Sequence, residues 1–177
     1  MDYTTEIDEN AARFGIPPAL IRAVIQVESA GDTWATRFEP HYRWLWDPFK
    51  HQPFRVNAIK ARLAHPPKGM PSYSYSSAAT EWAHQKTSWG LMQVMGAVAR
   101  EYGFSQQLTT LCRPGRGIEY GCRHLARLRD RWLDDHGWAG VLDGYNDGNP
   151  DIERKYDYPH KVAAVSGEAA RLVWGRG

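Results

Sequence analysis

Apolar positions recur at helical spacing along most of the chain. Leu20, Ala23, Val24 and Val27 fall on one helical face, with Ile21, Ile25 and Glu28 beside it. Pro17-Pro18 opens that helix, where a missing N–H does little harm, and Gly31 closes it. A first helix is predicted from Thr4 or Thr5, either of which can cap it, to about Phe14, with Gly15 as its stop. Regular helices resume at Ser88, a natural cap, where Trp89, Met92, Met95, Val98 and Tyr102 form a stripe ended by Gly103. The next helix runs from Gly117 to about Leu133 and buries Ile118, Cys122, Leu125, Leu128 and Trp132. Its Arg123, Arg127, Arg129 and Arg131 spread around the wetter sides as a solvated face. A shorter helix near Trp138–Tyr145 and a terminal one from about Pro159 to Trp174 complete the set.

Between Phe38 and Lys86 the texture changes. Prolines at 40, 48, 53, 66, 67 and 71 break the run, and Tyr73-Ser74-Tyr75-Ser76-Ser77 reads as loop. Short helices near Phe54–Leu63 and Ala78–His84 fit the remaining pattern. No internal repeat, low-complexity tract or convincing strand pair stands out, so the predicted class is mainly α. The predicted organisation is a single domain over residues 1–177 with an insertion at about 38–86, long enough to bury one real core.

Charge and composition narrow the partners. A net charge of +2 gives no general argument for nucleic acid, and any basic patch must be local. Eight tryptophans exceed what an ordinary core requires, and the surplus can stack on sugar faces. No run of apolar residues is long enough for a membrane span, so no membrane insertion is expected. The acidic, polar start Met1-Asp2-Tyr3-Thr4-Thr5-Glu6 is no signal peptide of the secretory type. Cys112 and Cys122 are too few for a disulfide scaffold; they are either two buried free thiols or one clip. His41 and His51 with Glu39 lack a metal-binding spacing, so no metal or cofactor is expected, and a monomer is.

Glu28 is the first candidate for chemistry. Its neighbours Val24, Ile25 and Val27 lower the local dielectric, and the negative end of the helix dipole further disfavours a carboxylate. An acid kept protonated in this way can deliver its proton to a glycosidic leaving group. Ser88, Gly90 and Gln93 supply a cap, a close backbone approach and a combined donor and acceptor. Gly144-Tyr145-Asn146-Asp147-Gly148 suits a turn that presents polar side chains. Phe38, Tyr42, Trp44 and Trp46 either widen a glycan groove or form a satellite cluster under a long loop.

Taken in order, Glu28-Ser29, Gly90-Leu91-Met92-Gln93, Tyr145-Asn146-x-Gly148 and Tyr158 with Val162 resemble the soluble-type lytic transglycosylases, in particular phage endolysin-like members. The resemblance covers Pro18–Asp32 and Ser88–Val165. It implies a lysozyme-like fold, peptidoglycan glycan strands as substrate, and cleavage of the MurNAc-β-1,4-GlcNAc bond to a 1,6-anhydro-MurNAc product. Glu28 is then the sole acid and base. Ser29, Ser88, Gly90, Met92, Gln93, Tyr145, Asn146 and Tyr158 form the substrate-binding set, with Tyr158 hydrogen-bonded to Glu28 and Ser29 supporting the site.

The chain departs from that pattern in three places. Arg37 stands in the register where the family has a serine that steadies the N-acetyl group. The 38–86 excursion separates blocks that are normally closer. Gly144 and Asp147 stand where alanines are common. Asp147 and Glu39 are therefore possible second acids, and the alternatives are a hydrolysing muramidase or a non-catalytic wall-binding virion module. A wall-cleaving chain of this kind fits a phage lysin, made in the cytoplasm of an infected host and acting on the periplasmic wall.

Overall fold

The computed structural model describes residues 2–150 and 157–175. Its helices are α1 (Thr4–Phe14), α2 (Pro18–Ser29), α3 (Ala58–Ala61), α4 (Ala78–Gln85), α5 (Gly96–Glu101), α6 (Pro114–Asp147), α7 (Tyr158–Ala163) and α8 (Gly167–Trp174). Among the described residues five short strands accompany them: β1 (Thr36–Phe38), β2 (Trp44–Asp47), β3 (Gln52–Arg55), β4 (Thr87–Trp89) and β5 (Val94–Met95). The chain divides into two compact units, Met1–Gly31 with Gly121–Gly177, and Asp32–Tyr120. The class is mainly α, as the periodicity predicts. Among the described residues no helix is long and apolar enough to cross a membrane.

In the first unit α1 buries Ile7, Asn10 and Ala11 and ends at Gly15 in the left-handed region (φ 64°). Neither threonine caps it. Tyr3 occupies the N-cap, and the Asp2 carboxylate accepts from the Thr4 N–H (2.9 Å) and hydroxyl, which lowers its pKa. Pro18 begins α2, whose Leu20, Ile21, Ala23, Val24 and Ile25 are buried, and α1, α7 and α8 all pack on this helix. Its turn-off residue is Ala30 (φ 51°), with Gly31 following at φ 81°.

Residues of α6 from Gly121 onward belong to this unit. The helix breaks at Gly137 (φ 61°, ψ −172°), which separates the two helices the sequence predicts there. A β-carbon on Gly144 would lie 1.9 Å from the Trp132 ring, so the alanine common at that register has no room. The arginines are less solvated than expected. Arg129 donates to the carbonyls of Phe14 (2.6 Å) and Gly15 (2.9 Å), satisfying the open end of α1, and Arg123 lies over the Phe14 ring. The predicted terminal helix is two helices, because the Ser166 hydroxyl accepts from the Ala169 N–H and starts α8 afresh.

The second unit holds the strands that the sequence did not disclose. β1, β4 and β5 form an antiparallel sheet in the order β1-β4-β5, and β2 pairs with β3 as a hairpin. Ser88 is therefore a strand residue, opposite Arg37 and Met95, and not a helix cap. Gly90 (φ 68°) and Gln93 (φ 47°) adopt a backbone no right-handed helix allows, so the helix begins only at Gly96. Leu45, Met70, Trp82 and Ala97 make the core under the hairpin, with Tyr42, Phe54, Val56 and Ala78 against it. Nearby, Arg100 and Glu81 form a bidentate pair at 2.7 and 2.9 Å, each about 1% exposed, joined by Gln85 at 3.0 Å. Both cysteines are free and buried, and burial pushes the Cys122 thiol up to about 12.

Candidate active site

In the first unit, Glu28 lies in the last turn of α2, half-buried, one residue before the helix ends. The hydroxyl of Tyr158, the first residue of α7, donates to Glu28 Oε1 at 2.6 Å. The packing of α7 on α2 sets this distance. Burial raises the Tyr158 hydroxyl well above the ordinary tyrosine range, and Glu28 and Tyr145 add to the shift, so this phenol stays a proton donor. A carboxyl group held by a neutral phenol has a fixed orientation, and proton transfer requires that of an acid–base group.

Tyr145 belongs to the part of α6 beyond the Gly137 break. Its ring lies 5.2 Å from that of His124, tilted by 46°. Burial, aided by the positive charge of Arg127, holds the His124 imidazole neutral with its pKa lowered to about 4. The sequence reading missed His124. The available signal was its place between Cys122 and Leu125 on the buried side of the helix, where a charged imidazole is disfavoured.

Asn146 and Asp147 are exposed, and Asp147 Oδ1 accepts from the Asn149 N–H at 3.0 Å in the turn that leaves α6. The buried acid of this segment is Asp143, 8% exposed, one helical turn earlier. The Ser29 hydroxyl donates to the Ile25 carbonyl of its own helix at 3.1 Å.

The second unit carries the other block. The Ser88 hydroxyl donates to Gln93 Oε1 at 2.7 Å, and Gln93 Nε2 donates to the carbonyls of Ala35 (2.8 Å) and Gly90 (2.9 Å). The Gln93 amide thus locks the β4–β5 turn onto the segment before β1. Gly90 is required by close packing, since a β-carbon there would lie 2.6 Å from the Leu111 carbonyl oxygen. Met92 is wholly buried (0% exposed). Its side chain belongs to the core, which corrects its assignment to the substrate-binding set.

The predicted residues are therefore joined in two groups: Glu28 with Tyr158 and Tyr145 in the first unit, and Ser88 with Gln93 in the second. Glu39 lies in the second unit, where its carboxylate pairs with the exposed Arg37 guanidinium. Arg37, in the position of the missing serine, is thereby bound to one of the two proposed second acids.

Comparison with known families gives a match over residues 17–165 to the family described as Muramidase, N-acetylmuramidase. No curated protein and no solved structure matches the chain.

Proposed function

This chain belongs to the N-acetylmuramidase family of peptidoglycan-cleaving enzymes, and we propose that it acts as a lytic transglycosylase with Glu28 as its single acid and base. The observation that carries this reading is the 2.6 Å hydrogen bond from Tyr158 to Glu28, which orients one half-buried carboxyl group and leaves it able to exchange a proton. The lysozyme-like, mainly α fold is common to enzymes that open glycan strands by either route.

In the first step protonated Glu28 gives its proton to the oxygen joining MurNAc C1 to GlcNAc C4, and the C1–O bond breaks. The N-acetyl oxygen of the muramic acid stabilises the positive charge that develops at C1. The Glu28 carboxylate then takes the proton from the muramic acid 6-hydroxyl, whose oxygen closes onto C1. Glu28 is regenerated, the product is 1,6-anhydro-MurNAc, and no water is consumed. Tyr145 and Asn146 are assigned to contact the sugar. Two features support a one-acid route: Glu39 is paired with Arg37, and Asp147 is engaged in an exposed turn.

A hydrolysing muramidase is the second reading, favoured by the description of the matched family and by the buried carboxyl group of Asp143. Such an enzyme needs a second carboxylate to activate or replace water. Mass spectrometry of digested sacculi separates the two, because the anhydro product is lighter by one water than the reducing sugar that hydrolysis releases. Either route requires Glu28. Glu28→Gln should lower lysis of wall suspensions roughly a thousandfold while binding persists. Lysis at the original rate in that variant would remove Glu28 from its role. The reading extends to a monomer made in the cytoplasm that meets the wall from the periplasmic side.

A further inference from the structure

Charge is distributed unevenly in this nearly neutral chain. Residues 48–80 contain Lys50, Arg55, Lys60, Arg62 and Lys68 and not one Asp or Glu. All five cations are exposed, and among the described residues Lys50 alone has a carboxylate near it, Asp47 at 3.8 Å. The β2–β3 hairpin opens this stretch. Its register places Trp44 opposite Arg55, so the two side chains share one face of the ribbon. The Arg43 guanidinium lies 4.7 Å from the centre of the Trp44 ring. Among the described residues neither Arg43 nor Arg55 forms an ion pair.

Beneath these side chains lies a groove of about 430 Å³, lined by Arg43, Trp44, Pro53, Phe54, Arg55 and Val56. That volume falls within the range of small-ligand sites. Trp44 is 67% exposed, although its strand neighbour Leu45 anchors the core. The ring is left largely in solvent with the Arg43 guanidinium over it and Arg55 opposite on the ladder, and neither cation has a carboxylate among the described residues. The combination suits a ligand that offers a flat or apolar face together with carboxylates: the ring takes the face, and planar guanidinium groups take carboxylates bidentately.

From this geometry we infer that the β2–β3 hairpin is a second wall-binding site, which takes carboxylate-bearing segments of peptidoglycan through Arg43 and Arg55 with Trp44 stacked between them. The inference rests on the peptidoglycan substrate proposed above, and it names the part of that polymer the insertion recognises. Peptidoglycan is polyanionic, because its muramic acid-linked peptides carry free carboxylates. A cationic segment without acidic residues is complementary to it over many repeats. Weak contacts at such a site add to the residence time of an enzyme working on an insoluble substrate.

The test is co-sedimentation with purified sacculi, carried out in the Glu28→Gln background so that cleavage plays no part. The double variant R43E/R55E should raise the Kd for sacculi about tenfold, R43Q/R55Q should fall between it and the parent, and Trp44→Ala should weaken binding without changing its salt dependence. Thermal melts and far-UV circular dichroism of each variant verify that it is folded. Blocking the sacculus carboxylates by amidation should weaken the parent to the same extent and abolish the difference between parent and charge-reversed protein. The inference is overturned if the folded charge-reversed or neutral variants bind native sacculi as the parent does, or if their defect persists undiminished on amidated sacculi. Tight binding of the parent to phosphatidylglycerol vesicles, lost in R43E/R55E while sacculus binding is kept, would assign the surface to a lipid headgroup instead. Failure here leaves the Glu28 result and the product masses untouched, so the two readings stand or fall separately.

Discussion

Tyr158 and Glu28 are separated by 130 positions in the sequence and by 2.6 Å in the structure, the phenol donating to the carboxyl oxygen. The contact depends on α7 lying against the last turn of α2, so removing the hydroxyl tests both the helix packing and the chemistry. Tyr158→Phe keeps the ring in its buried seat and deletes one hydrogen bond to an ionisable group, a change of about 1.5–3 kcal/mol. The expected result is a fall in kcat of roughly ten- to a hundredfold with little change in KM. Steady-state rates on soluble glycan fragments measure this. A variant with full kcat would show that Tyr158 does not orient Glu28.

His124 gives the fold a specific acid sensitivity. In the unfolded chain its imidazole titrates near the ordinary 6.5, whereas in the folded protein it does so at about 4. Folding must therefore strip a proton from this residue at any pH between those values, and stability falls as pH drops from 6.5 towards 4. For a partly exposed ring the penalty by pH 4 is on the order of 2 kcal/mol. His124→Gln removes this term, so its Tm should decline less between pH 7 and pH 4.5 than that of the parent. Parallel declines in the two proteins would contradict the buried, neutral assignment.

Gly144 and Trp132 form a steric pair. Gly144→Ala sets a methyl group 1.9 Å from a ring atom, and the ring or the helix beyond Gly137 must move. Overpacking of this kind destabilises by about 1–3 kcal/mol. Urea unfolding should show that loss for Gly144→Ala, and a companion Trp132→Leu should make the added methyl nearly neutral. An unchanged midpoint in the single variant would mean that the space exists after all. Tyr145 follows Gly144 directly, so activity should fall with the displacement.

The sequence was most legible where one local signal governs. Pro18 and Gly15 delimit α1 and α2 because their backbone preferences do not depend on the rest of the chain. Glu28 and Tyr158 were readable as a pair through motif order. Ser88–Gln93 was misread because Trp89, Met92 and Met95 keep helical spacing by coincidence. Only the positive φ of Gly90 and Gln93, fixed by bonds to Ala35 and by the Leu111 carbonyl, reveals a turn. Asp143 shows the same limit: a helical stripe gives its position on the face, and only packing shows that its carboxyl group is buried.

By itself, the sequence determined the helical class and the helix boundaries set by proline and glycine, and its family resemblance pointed to the contact between Tyr158 and Glu28. The first two follow from apolar spacing and backbone dihedral limits, and the contact follows from the order of the motifs. Tertiary structure alone decided that β1 joins β4 and β5, that Met92 is core, that Gln93 is held by three internal hydrogen bonds, and that Arg129 caps a helix over 100 residues away. Each of these depends on which distant groups compete for the same space or the same hydrogen-bonding atom, and that competition is resolved only when the chain is packed.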